Sequence, residues 1–243
     1  MSAPSMLGRA VSILAAFTPG RATLGVSELA RRTGLAKSTV HRLAGELVQE
    51  GLLEPVEGGF RLGMRLFELG HLVPGQRTLR ERAAPVLGEL RERSGQTVHL
   101  AVLDGTDVLY LDVLPSRSGP PLPSRMGGRM PAHATGVGKA LLAHTKRSAV
   151  ETVVAGGLKR LTPRTIAAPG LLHAELARVA ARGVAFDGEE SAVGLVCAAS
   201  PVHDRDGAVI AAISVSGRSG RLAFNRVAPQ VHAAARTLTG ALQ

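Results

Sequence analysis

Apolar residues recur at helical spacing at Leu7, Ala10, Val11, Leu14 and Phe17, and again at Val40, Leu43 and Leu47. Each set predicts a helix that buries one face. Between them, Ser27-Glu28-Leu29-Ala30 supplies a short helix with Leu29 and Ala30 turned inward, and Gly34 permits the tight turn that a bulkier residue would strain. From Leu52 to Leu62 two short strand-like runs flank Gly58-Gly59, which predicts a hairpin. Helix, helix, turn, helix and hairpin make one module over residues 1–63, a winged helix-turn-helix.

The pattern then changes. Met64 to Gly70 reads as a linker helix within residues 64–75, with Pro74-Gly75 as the break. A further helix starts near Leu79, where Ala83, Leu87 and Leu90 share a face despite Pro85. Residues 97–103 and 108–113 form a hairpin around Asp104-Gly105, and residues 116–128, rich in Pro, Gly and Ser, form a long loop. Helices near 138–144 and 171–182, strands near 196–202 and 209–215, and a closing helix near 227–242 complete an α+β domain over residues 76–243.

Composition adds bounds. A chain of 243 residues with 45% hydrophobic content has enough apolar material for two cores. The formal charge of +10 suits an anionic partner, yet residues 1–75 hold 8 Lys and Arg against 6 Asp and Glu, so local placement carries the case. One cysteine, Cys197, excludes an internal disulfide framework and a cysteine-rich metal site, and suits a reducing compartment. No run approaches the ~18 apolar residues of a membrane span. A cytoplasmic protein is expected.

The most informative chemistry lies between Arg31 and Arg42. No acidic residue occurs between Glu28 and Glu46, and one face of the third helix carries Lys37, Ser38, Thr39, His41 and Arg42 opposite its apolar stripe. The major groove of DNA accepts one helix, lined by phosphate on both sides. Arg31, Arg32, Lys37, Arg42 and, from the hairpin, Arg61 are the candidate phosphate contacts. Ser38, Thr39 and His41 are the candidates for base edges. The bland alternative is a solvated helical hairpin. Ala36 stands where a capping Ser is common, and Ser38 is expected to compensate.

Other constellations fall short. Gly136-Val137-Gly138-Lys139 suggests a phosphate loop, but His133 replaces the required glycine and Ala140 the magnesium-holding hydroxyl. His99, His133 and His203 lack ligand spacing, and adjacent Glu189 and Glu190 point apart, fitting a capping or salt-bridge role. Cys197, among apolar neighbours, reads as an inert buried thiol. Catalytic residues, metal and cofactor are therefore expected to be none.

Along nearly its whole length the chain resembles the IclR family of transcriptional regulators. The likeness is carried by Glu28-Leu29-Ala30, Thr33-Gly34-Leu35, Lys37 to Leu43, Phe60-Arg61-Leu62-Gly63 and Thr97 to Leu103. Further on it is carried by Pro131 to Ala143, Thr162 to Ile166, Asp187 to Glu190, Gly194, Cys197 and Ala211 to Gly217. The resemblance implies a winged helix-turn-helix joined by a helix to a GAF-like α/β domain that binds a small-molecule effector and mediates oligomerisation. Its members are more often repressors than activators. Carried over by position, the effector candidates are Gly136, Val137, Asp187, Cys197, Ser214 and Ser216. Backbone N–H groups near a helix start and two serine hydroxyls suit a small carboxylate, and Asp187 suits it only by accepting a ligand hydroxyl or taking up a proton. The implied partners are duplex DNA, a metabolite and further copies of the chain, as homodimer or tetramer. An enzyme carrying a DNA-binding module and an effector-independent DNA-binding protein remain the alternatives.

Overall fold

A computed structural model describes residues 5–18, 20–117 and 119–243. The chain forms two compact units, residues 1–75 and 76–243.

In the first unit, α1 (Met6–Ala15), α2 (Val26–Thr33) and α3 (Lys37–Gln49) are followed by the hairpin β1 (Leu53–Val56) and β2 (Gly59–Leu62), then α4 (Arg65–His71). Ile13, Leu24, Leu29, Val40, Leu43, Ala44, Leu47 and Leu53 form its core. The periodicity in α1 overstated two positions. Ile13 is its buried residue, Ala10 and Leu14 pack at the rim, and Leu7 and Val11 are exposed, because so short a helix covers its neighbours along one narrow line. Gly34 ends α2 at φ 71, in the left-handed region that the turn into α3 requires. Leu24 pairs with Phe60 through two backbone bonds of 3.0 Å, which fastens the wing to the segment before α2. Gly59 permits this approach, since a Cβ there would stand 2.3 Å from the Leu24 carbonyl oxygen.

The second unit comprises α5 (Gln76–Ser94), β3 (Thr97–Asp104), β4 (Asp107–Leu114), β5 (Arg129–Pro131), α6 (Gly136–Leu142), α7 (Arg147–Ala155), α8 (Pro169–Arg182), β6 (Ala185–Gly188), β7 (Leu195–His203), β8 (Val209–Arg218) and α9 (Phe224–Leu242). The strands form one antiparallel sheet in the order β5-β4-β3-β8-β7-β6. Alternation decides its two faces. Val98, Leu100, Val102, Val196, Ala198, Ile213 and Val215 join α5 and α9 in one core. Ala101, Tyr110, Cys197, Ala199 and Ala212 join α6, α7 and α8 in the other. Helices on both faces of this sheet give the expected GAF-like α+β arrangement.

The sequence pattern missed α7, β5 and β6. In α7 the valines Val150, Val153 and Val154 weaken the helical signal, because β-branched residues favour strands. Strands of three and four residues are too short to show alternation. Helix α5 starts at Gln76, directly after Gly75.

Candidate functional site

The first unit presents one polar helix face. Val40, Leu43, Ala44 and Leu47 bury one side of α3, which leaves Lys37, Ser38, His41 and Arg42 exposed and Thr39 half-buried. The helix begins at Ala36 without a side-chain cap, so Ser38 does not compensate.

Four of the five candidate cations are already paired. Glu28 accepts from Arg31 at 2.6 Å and from Arg32 at 2.7 Å, and the two guanidiniums hold its carboxyl down to a pKa of about 2. Arg32 also donates to the Ala16 carbonyl at 2.8 Å and is only 20% exposed, which makes it a brace between α2 and the end of α1. Arg42 pairs with Glu46 at 2.7 Å and Arg61 with Glu54 at 2.6 Å, both on the surface. Lys37 is the candidate cation without such a partner among the described residues. The signal for these pairs was present: Glu28 stands three and four residues before Arg31 and Arg32, and Glu46 four after Arg42. Exposed pairs of this kind contribute little to stability and are screened by salt.

In the second unit a pocket opens between the sheet, the start of α6 and the segment after β4, with about 370 Å³ of empty space when the open solvent at its mouth is included. All six effector candidates line it: Gly136, Val137, Asp187, Cys197, Ser214 and Ser216. Antiparallel register explains the grouping, because Asp187 lies opposite Cys197, Cys197 opposite Ser216, and Ser214 opposite His99. Ser214 therefore lines the pocket while bonding to His99 Nδ1 at 3.2 Å. Gly136 is needed for room, since a Cβ there would come 2.9 Å from Cys197 Sγ. Gly138 is needed for contact between main chains, since its Cβ would meet the Ala132 carbonyl oxygen at 2.0 Å.

The electrostatics are those of a buried polar site. Burial pushes the Cys197 thiol up to about 11, consistent with an inert sulfur. Burial raises the Asp187 pKa, opposed by hydrogen bonds from Ser191 and the Glu190 N–H and by the charge of Lys139. Asp187 Oδ1 accepts from the Glu190 N–H at 2.6 Å, and Oδ2 accepts from Ser191 Oγ at 2.5 Å. Burial also holds His99 down to about 4, so its ring is neutral.

Sequence reasoning missed much of this setting. Tyr110, Ser124, Met130, Thr135 and Ser191 also line the pocket, as does His99. On the buried side of α6, the Lys139 side chain is 1% exposed and its ammonium pairs with Glu190. Thr162 donates to the Glu189 carbonyl and Thr165 to the Glu190 carbonyl, each at 2.7 Å, fixing the turn that carries Glu190. The lysine that gave a phosphate-loop appearance is thus spent internally. His133 bonds to the Lys159 carbonyl and His203 meets His144 edge to face; among the described residues no cluster suits a metal ion.

Two family models account for almost the whole chain. The IclR helix-turn-helix domain matches residues 6–57, and the bacterial transcriptional regulator IclR C-terminal domain matches residues 72–240. The chain belongs to the IclR family of transcriptional regulators. Among its relatives, the HTH-type transcriptional regulator XynR of Escherichia coli K12 is 36% identical over 217 residues, covering 88% of this chain and 86% of XynR. The transcriptional repressor IclR of the same strain is 34% identical over 226 residues, covering 91% of this chain and 82% of the repressor. A crystal structure of an IclR homolog from Microbacterium hydrocarbonoxydans, complexed with 4-hydroxybenzoate, matches with a TM-score of 0.88 at 32% identity, over 98% of this chain and 99% of that one. IclR-family membership makes this protein a DNA-binding transcriptional regulator and not an enzyme. No helix among the described residues is long and apolar enough to cross a membrane.

Proposed function

We propose that this regulator represses transcription by placing α3 in the major groove of an operator, and that a small hydroxylated carboxylate in the second unit alters its grip. The observation that carries the reading is the pairing, within one chain, of an uncapped polar helix face with a buried pocket lined by Ser214, Ser216 and Asp187. Lys37 and the exposed Arg31, Arg42 and Arg61 neutralise phosphate, the last three by exchanging a carboxylate partner for DNA. Ser38, Thr39 and His41 address base edges. Arg32 serves mainly to hold α2 in place.

In the pocket the hydroxyls of Ser214 and Ser216 donate to a ligand carboxylate, Gly136 and Val137 form the wall beside it, and Cys197 forms the floor. Asp187 then faces a ligand hydroxyl, either as acceptor or, with its raised pKa, as a protonated donor. The 4-hydroxybenzoate held by the Microbacterium homolog has both groups, which supports this class. The protein acts in the cytoplasm, where chromosome and metabolites meet. Exposed apolar residues on α1 and around α4, including Leu7, Val11, Phe67 and Leu72, support a homodimer or tetramer, whose paired heads read half-sites at multiples of ~34 Å. Footprinting on the DNA upstream of its own gene, with and without 4-hydroxybenzoate and other small carboxylates, tests the proposal. A protected operator whose occupancy changes with one of them supports it; no protected site at low salt overturns it.

A further inference from the structure

The outer wall of the pocket is formed by Leu122, Pro123 and Ser124, from the long connection between β4 and β5. This connection is tied down at its ends. Ser116 donates from its N–H to Thr97 Oγ1 at 3.0 Å and from its hydroxyl to the Gly95 carbonyl at 2.9 Å. At the far end the Gly127 N–H donates to the Tyr110 carbonyl and the Gly128 N–H to the Arg125 carbonyl, each at 2.8 Å. Between these ties Leu122 and Ser124 are half-buried while Pro121, Pro123 and Arg125 are exposed, so alternate residues turn inward. Prolines at 120, 121 and 123 stiffen the segment by fixing its backbone φ angles.

Among the described residues, the side-chain hydrogen bond from this stretch into the pocket is that of Ser124 Oγ with His99 Nε2, 2.8 Å long. The other nitrogen of His99 is held by Ser214, the same hydroxyl assigned above to the ligand. A neutral imidazole has one donor and one acceptor nitrogen, so what Ser214 does on one side fixes what Nε2 does on the other. When Ser214 donates to a ligand oxygen it accepts from Nδ1–H, and Nε2 is left to accept the hydroxyl proton of Ser124. Protons then point in one direction from the covering segment, through the ring, to the ligand, and such chains strengthen cooperatively.

We propose that residues 119–126 are a lid on the effector pocket, that the Ser124–His99 hydrogen bond latches it, and that His99 is the positioning residue through which the lid senses a ligand on Ser214. The sensing part rests on the pocket reading above; the latch does not. Limited proteolysis of the full-length protein by trypsin separates the two. Cleavage after Arg125, in the lid, is measured relative to cleavage after Arg178, exposed on α8.

Without ligand, Ser124→Ala and His99→Asn should raise that ratio about fivefold, the worth of one net hydrogen bond. Asn keeps an atom near the Nδ1 position and loses the reach to Ser124, whereas His99→Gln keeps that reach and should restore the slow wild-type cleavage. A ratio unchanged in Ser124→Ala overturns the latch, and so does a rise in which the Arg178 site opens equally, since that reports general loosening. With 4-hydroxybenzoate at saturation the wild-type ratio should fall and that of Ser124→Ala should not. If the ligand-free ratio rises in the variants but 4-hydroxybenzoate protects neither protein, the latch stands, and both the sensing role of His99 and the 4-hydroxybenzoate reading of the pocket fall.

Discussion

Replacing Lys37 and Arg32 separately by Ala distinguishes a cation that meets DNA from one that holds the domain together. Lys37 is exposed at the start of α3 and has no carboxylate partner among the described residues, whereas Arg32 is 20% exposed and committed to Glu28 and to the Ala16 carbonyl. Each phosphate contact contributes a slope of ~0.9 in log affinity against log salt. With two heads on a symmetric operator, Lys37→Ala should therefore flatten the slope by ~1.8. Over a fourfold rise in salt, that makes the variant about tenfold less salt-sensitive than the parent. Arg32→Ala should leave the slope nearly unchanged and instead cost about 1 kcal/mol of stability, from lost hydrogen bonds to a charged partner and a carbonyl. Fluorescence anisotropy on an operator duplex at 50 to 200 mM salt reads the slope, and thermal unfolding reads the stability. If Arg32→Ala flattens the slope as much as Lys37→Ala while its melting temperature holds, the division of roles drawn from the ion pairs is wrong.

Three further outcomes follow from the second unit. Because the fold keeps His99 neutral down to about 4 while an unfolded chain takes up the proton below about 6.5, stability should fall as pH drops through that window. His99→Gln should remove about 2 kcal/mol of the loss between pH 7 and pH 5, seen as a shallower pH dependence in urea unfolding; parallel curves would refute the assignment. Gly138→Ala should cost at least ~3 kcal/mol, because the obstacle is the Ala132 main chain, whereas Gly136→Ala should leave a folded protein with a smaller pocket and weaker ligand-induced stabilisation in thermal shift. Lys139→Met alone, leaving the Glu190 carboxylate buried without its partner, should cost ~3–5 kcal/mol, and adding Glu190→Gln should recover much of that in chemical denaturation.

The helix-turn-helix was legible because its information is local. Gly34, the apolar stripe of α3 and the Gly58-Gly59 turn each act within a few residues, and the structure keeps all three. The phosphate candidates were legible as residue types but not as free charges, because pairing with Glu28, Glu46 and Glu54 depends on which side chains share a helix face or a strand register. In the second unit the positions taken from the family resemblance meet in one pocket, although they span residues 136 to 216.

Alone, the order of residues determined the helices, turn and hairpin of the first unit, which face of α3 is polar, and that Ser214 and Ser216 share one face of a strand. Those facts follow from backbone periods of 3.6 and 2. Tertiary structure decided that His99 reaches from Ser214 to Ser124, that Lys139 spends its charge on Glu190, and that Arg32 is a brace. Each joins groups on different elements, and burial, which sets the protonation and the strength of every such contact, exists only once the sheet and its covering helices have assembled.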